Sequence, residues 1–75
     1  MRIEIDYGRG EDEGCFTVFV KREDGWWETR SFQDGRWHVE TESTASVIRT
    51  IAEAWRQHLQ GKKIALWVDG ELVAY

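Results

Sequence analysis

From residue 43 to 61 the apolar positions Ile48, Ile51, Ala52, Trp55 and Leu59 recur every three or four residues. That spacing lays them along one stripe of an α-helix, with Arg49, Thr50, Glu53, Arg56, Gln57 and Gln60 on the other side. Ser43 or Thr44 can cap its start, and Gly61 stands where a left-handed residue closes a helix. Lys62 and Lys63 then add positive charge at the negative end of the dipole. So short a helix is marginal alone in water, so the stripe is expected to dock on another layer.

Elsewhere the period is two. Ile3, Ile5 and Tyr7 alternate with Arg2, Glu4 and Asp6, which predicts a half-buried strand over residues 2–7. Residues 8–14, GRGEDEG, read as a loop. Strands follow at 15–22, 26–33 and 36–40, separated by Glu23-Asp24-Gly25 and Asp34-Gly35. After the helix, Asp69-Gly70 divides residues 63–75 into a last hairpin, pairing Trp67 with Leu72, Leu66 with Val73 and Ile64 with Tyr75. A two-residue loop at Asp34-Gly35 pairs Phe32 with Trp37, Ser31 with His38 and Arg30 with Val39. A three-residue loop at 23–25 pairs Phe16 with Phe32 and Val18 with Arg30.

That register gives strands two to four one face of Phe16, Val18, Val20, Phe32, Trp37 and Val39. The other carries Thr17, Phe19, Lys21, Trp27, Thr29, Ser31, His38 and Glu40. The first face is the more apolar and is expected to lie beneath the helix. Trp37, Trp55 and one of Trp26 or Trp67 are expected in the core. The predicted fold is a two-layer α+β domain over residues 1–75, of order βββ(β)αββ. Its curved antiparallel sheet of five or six strands packs on one helix, and becomes mixed if the first strand pairs in parallel with residues 64–68.

The order of elements carries looser likenesses. Residues 26–75 resemble the β-grasp order, and the second to fourth strands with the helix and last hairpin resemble that of an OB-fold. Asp6 and Asp69 around a helix resemble the ribonuclease H arrangement, which implies a metal held by strand carboxylates. That arrangement also needs a glutamate early in the helix, where this chain has Ala45, Ser46, Val47 and Ile48.

Composition narrows the chemistry. Seventy-five residues with one cysteine form no internal disulfide. A net charge of −4 lacks the basic excess of a duplex nucleic-acid binder. No apolar run is long enough to span a bilayer. The free thiol and the absence of a signal-peptide pattern at the N-terminus set the expectation of a reducing, cytoplasmic compartment. Glu11, Asp12 and Glu13 lack the spacing of a calcium loop, and the glycines around them are followed by no Lys-Ser/Thr pair. Cys15, His38 and His58 form no nucleophile–base pair in this register. The expectation is therefore a non-enzyme without cofactor or metal.

The aromatic set points to binding. Phe19 and Trp27, near Lys21 and His38, fall on the face turned away from the predicted helix. Their expected role is contact with another protein or a second copy of the chain. Stacking of single-stranded bases is the alternative, which the net charge opposes. A third reading is a designed or artificial fold without biological activity, since Asp-Gly recurs at the hairpins and both helix ends are capped.

Overall fold

The computed structural model describes residues 1–7 and 15–75. The readings made on residues 8–14, a loop and an acidic cluster, lie outside the described residues. The elements are β1 (Arg2–Asp6), β2 (Phe16–Lys21), β3 (Trp27–Gln33), β4 (Arg36–Glu42), α1 (Thr44–Leu59), β5 (Ala65–Val68) and β6 (Glu71–Ala74). The strands form one open six-stranded sheet in the order β4-β3-β2-β1-β5-β6. Every pairing is antiparallel, including β1 with β5. The sheet is therefore not mixed. The β-grasp and OB-fold likenesses end here, because β1 and β2 separate the β3–β4 hairpin from β5 and the sheet does not close.

Turn chemistry sets the register as its residues demand. Asp34-Gly35 and Asp69-Gly70 both place two successive residues at positive φ, the geometry of a type I′ turn matched to strand twist. Gly25, at φ +90, closes the three-residue loop between Arg22 and Trp26. Phe16 then lies opposite Phe32, Val18 opposite Arg30, and Phe32 opposite Trp37, as the pattern predicts. The last hairpin differs. A bulge between Leu66 and Trp67 pairs Leu66 with Ala74 in place of Val73. It puts the smaller side chain on the covered face, where Ala74 is buried and Val73 is exposed.

The helix covers the face opposite to the one the strand pattern favours. β1 pairs with Ile3 opposite Phe19 and Ile5 opposite Thr17. β5 then brings Val68 and Leu66 beside Ile3 and Ile5. These residues join Phe19 and Trp27 beneath the helix to form the core with Val47, Ala54, Ile64 and Ala74. Phe19 and Trp27 retain 1% and 4% of their exposure. Trp27 also donates its indole N–H to Thr44 Oγ1 at 3.0 Å, tying β3 to the first turn of α1.

The helix is rotated by one residue from the predicted stripe. Val47 and Ala54 are fully buried and Ile51 packs against the core, whereas Ile48, Trp55 and Leu59 are exposed. Both stripes satisfy the same spacing, so periodicity alone does not choose between them. The observed one presents small residues where the sheet supplies Phe19 and Trp27, and such large-to-small matching fills an interface without voids. Among the five tryptophans only Trp27 is buried. Trp26, Trp37 and Trp55 are exposed, and Trp67 is half-buried.

Ser43 is the N-cap, its hydroxyl accepting from the Ser46 N–H at 3.2 Å. Ser43→Ala should cost about 1 kcal/mol of stability, read as a drop in the urea midpoint at constant slope.

Candidate functional site

The register arranges the uncovered sheet face in cross-strand rows. One row is Asp6, Phe16, Phe32 and Trp37; the next is Trp67, Glu4, Val18, Arg30 and Val39; the third is Arg2, Val20, Glu28 and Thr41. Six apolar residues of β2–β4 thus share a surface on which, among the described residues, no second layer sits. Phe32 and Trp37 touch with ring centroids 5.3 Å apart in a tilted arrangement, an aromatic contact that holds both rings in place. Trp37 and Val39 keep 54% and 58% of their exposure. Val18 is buried although it lies on the face away from α1. Its neighbours in register are Glu4 and Arg30, whose aliphatic stems can lie over it while their charges stay in water.

Charge on this face is internally matched. Arg2 pairs with Glu4 at 2.7 Å and Arg30 with Glu28 at 3.3 Å, each along its own strand. All four side chains keep solvent contact, so the pairs add little stability. Their effect is to neutralise the polar part of an apolar surface. Arg2, Val18, Val20, Glu28, Arg30, Trp37 and Val39 surround a shallow concavity of about 420 Å³. It has an aliphatic floor, charged walls and an indole at its rim.

The residues singled out from the pattern, Phe19, Lys21, Trp27 and His38, all belong to the helix side of the sheet. Phe19 and Trp27 are core, which corrects their expected exposure; the strand order turned their face inward. Lys21 is exposed opposite Trp27, and His38 is exposed opposite Ser31. The structure brings no site together from these four. Trp37 and Val39 form the exposed set instead, with the half-buried Phe32 beside them, and the signal for them was the same alternation with its face reversed.

The other candidates are dispersed. Asp6 lies opposite Ala65, while Asp69 accepts from the Arg2 N–H at 2.8 Å through Oδ1. They sit at opposite ends of β1, roughly 13 Å apart at strand rise, and Asp69 serves to fasten a turn. His58 lies against the core side of α1, with its ring centroid 5.7 Å from that of Trp55. Cys15 precedes β2, and its carbonyl accepts from the Tyr7 N–H at 3.0 Å. Burial, then the charges of Cys15 and Glu53, push the Tyr7 phenol above the usual tyrosine range. Among the described residues no group of three or more His, Cys, Asp or Glu could hold a metal ion. Among the described residues no helix is long and apolar enough to cross a membrane.

A second apolar strip runs along the outer flank of α1 through Ile48, Ala52, Trp55 and Leu59. Arg49 and Arg56 lie beside it, the latter bonded to Glu53. Comparison with known protein families, with curated proteins and with solved structures finds no match to this chain.

Proposed function

We propose that this protein is a non-catalytic interaction module that binds a protein partner through the uncovered face of its sheet. One observation carries the reading. Trp37 and Val39 stand exposed beside Phe16, Phe32, Val18 and Val20 on the face away from α1, over which no other described element packs. A rigid sheet holds these side chains in place, so little conformational entropy is lost when they are covered. Tryptophan at the rim of an apolar patch is the residue type that most often dominates such contacts. The matched Arg2–Glu4 and Arg30–Glu28 pairs supply a neutral polar rim.

The same pairs disfavour a single-stranded nucleic acid. Aromatic stacking needs free cations nearby to follow the phosphates, and Arg2 and Arg30 are already matched. Tryptophan fluorescence unchanged by oligonucleotide at low salt is the expected result.

The test of the main reading is a comparison of two variants in affinity capture. Trp37→Ala with Phe32→Ala should lose the captured partner while the circular dichroism spectrum is retained. Ile48→Ala with Leu59→Ala, on the helix flank, should keep it. Retention by the first and loss by the second would move the contact surface to the helix.

A further inference from the structure

The two edges of the sheet are unlike. β6 is four residues long and adjoins a bulge, a device that blunts an edge. β4 is seven residues long, pairs with β3 without a bulge, and is exposed at every position except Glu42. It carries neither proline nor lysine. Such an edge invites a further strand. The closing pair of the β3–β4 hairpin is Gln33 with Arg36, so Arg36, His38, Glu40 and Glu42 direct their backbone groups toward β3. Trp37, Val39 and Thr41 therefore direct theirs outward.

The sequence of β4, RWHVETE, is complementary to itself when reversed. We infer that β4 pairs antiparallel with β4 of a second copy, with Val39 on the two-fold axis. Val39 then faces Val39, Trp37 faces Thr41, His38 faces Glu40, and Arg36 faces Glu42. The outward residues Trp37, Val39 and Thr41 coincide with the positions that must exchange hydrogen bonds, giving about six across the junction. On the helix side, each acid of one copy meets a basic or N–H-donating residue of the other. On the open side, an aromatic meets a β-branched residue, a favourable cross-strand pair. Among the described residues the side chains of Arg36, His38 and Glu40 make no hydrogen bond or ion pair of their own. Glu42 accepts from the Ser46 hydroxyl at 2.7 Å and has further acceptor capacity.

The alternatives are worse for stated reasons. Sliding by two residues opposes His38 to His38 or Glu40 to Glu40. Sliding by one sets outward backbone groups against inward ones, so the ladder does not form. A two-fold axis normal to the sheet keeps both helices on one side and joins the two open faces, with both Trp37 side chains near the centre. The inference rests on β4 alone and does not require the open face to bind another protein.

Sedimentation velocity at about 100 µM should show a dimer, since an edge contact of this size is expected in the micromolar range. Glu40→Lys should weaken it at least about tenfold by setting a cation against His38 on both sides of the axis. Adding His38→Glu to that variant should restore the dimer. Val39→Pro removes an N–H that faces solvent in the monomer, so it should leave the circular dichroism spectrum intact and abolish the dimer. In a Cys15→Ser background, Val39→Cys should crosslink to itself on oxidation, while His38→Cys and Glu40→Cys should not, their Cα atoms lying too far from their own counterparts. A monomer at that concentration, a dimer indifferent to both Glu40→Lys and Val39→Pro, or self-crosslinking at 38 or 40 in place of 39 would overturn the inference.

Discussion

Phe19→Ala is expected to cost roughly 3–5 kcal/mol, while Phe32→Ala costs about 1–2 kcal/mol. Both are phenylalanines in neighbouring strands, and Phe32 lies on the more apolar face of the hairpin pair. The difference arises from the third dimension. Phe19 is sealed between Ile3 on β1 and the underside of α1, so truncation leaves a cavity that a sheet–helix interface cannot collapse around. Phe32 loses contact with Trp37 but opens to solvent, which fills the space. In a domain this small, each kcal/mol shifts the melting temperature by about 4–8 °C, so the Phe19 variant should melt at least ~12 °C lower. Thermal melts of the two variants side by side decide it. If Phe32→Ala were the more damaging, the helix would cover the opposite face.

Ala54→Glu should be still more disruptive, at several kcal/mol, because it drives an unpaired carboxylate into a fully buried position against the sheet. Ala52→Glu, two residues away on the exposed flank, should change stability by no more than about 0.5 kcal/mol. Both are alanine-to-glutamate changes within the same helix, so propensity cancels in the comparison. What remains is the rotation of α1 about its axis, about 100° per residue. Urea titrations with equal slopes and very different midpoints are the expected outcome. Greater sensitivity at Ala52 than at Ala54 would mean that the helix presents Ile48, Ala52 and Trp55 to the sheet after all.

Both comparisons bear on the candidate surface. If Phe19 and Ala54 are the sensitive positions, Trp37, Val39, Phe32 and Phe16 lie on the face away from α1. If they are not, that surface is core and the proposed contact with a partner is lost with it. The pairing of β4 with its own copy survives either result, because the outward direction of Val39 depends on the hairpin register and not on which face the helix covers.

Local order was legible in the amino-acid sequence because its causes are local. Asp34-Gly35 and Asp69-Gly70 tolerate positive φ; Asp34-Gly35 and Gly25 determined their hairpin registers down to individual pairs such as Phe16–Phe32 and Phe32–Trp37, whereas Asp69-Gly70 determined only Trp67–Leu72 before the bulge. Ser43 and Gly61 marked the helix ends to within a residue or two. A sheet of five or six strands with one helix followed from periods of 2 and 3.6. The side of the sheet that would be buried did not follow. Strands β2–β4 alone offer Phe16, Val18, Val20, Phe32, Trp37 and Val39 on one face against Phe19 and Trp27 on the other, and that comparison favours the wrong one. Only strand order reverses it. β1 enters with Ile3 opposite Phe19, and β5 adds Val68 and Leu66 beside Ile3 and Ile5, so the aliphatic side chains of the central strands gather on the Phe19 side, where α1 packs. The rotation of α1 was undetermined for a related reason. Val47, Ile51 and Ala54 and the stripe one residue on have the same period, and only the size of the side chains rising from the sheet selects the smaller set. Alternation along a strand says which residues share a face, and contacts between elements distant in the chain decide which face meets water.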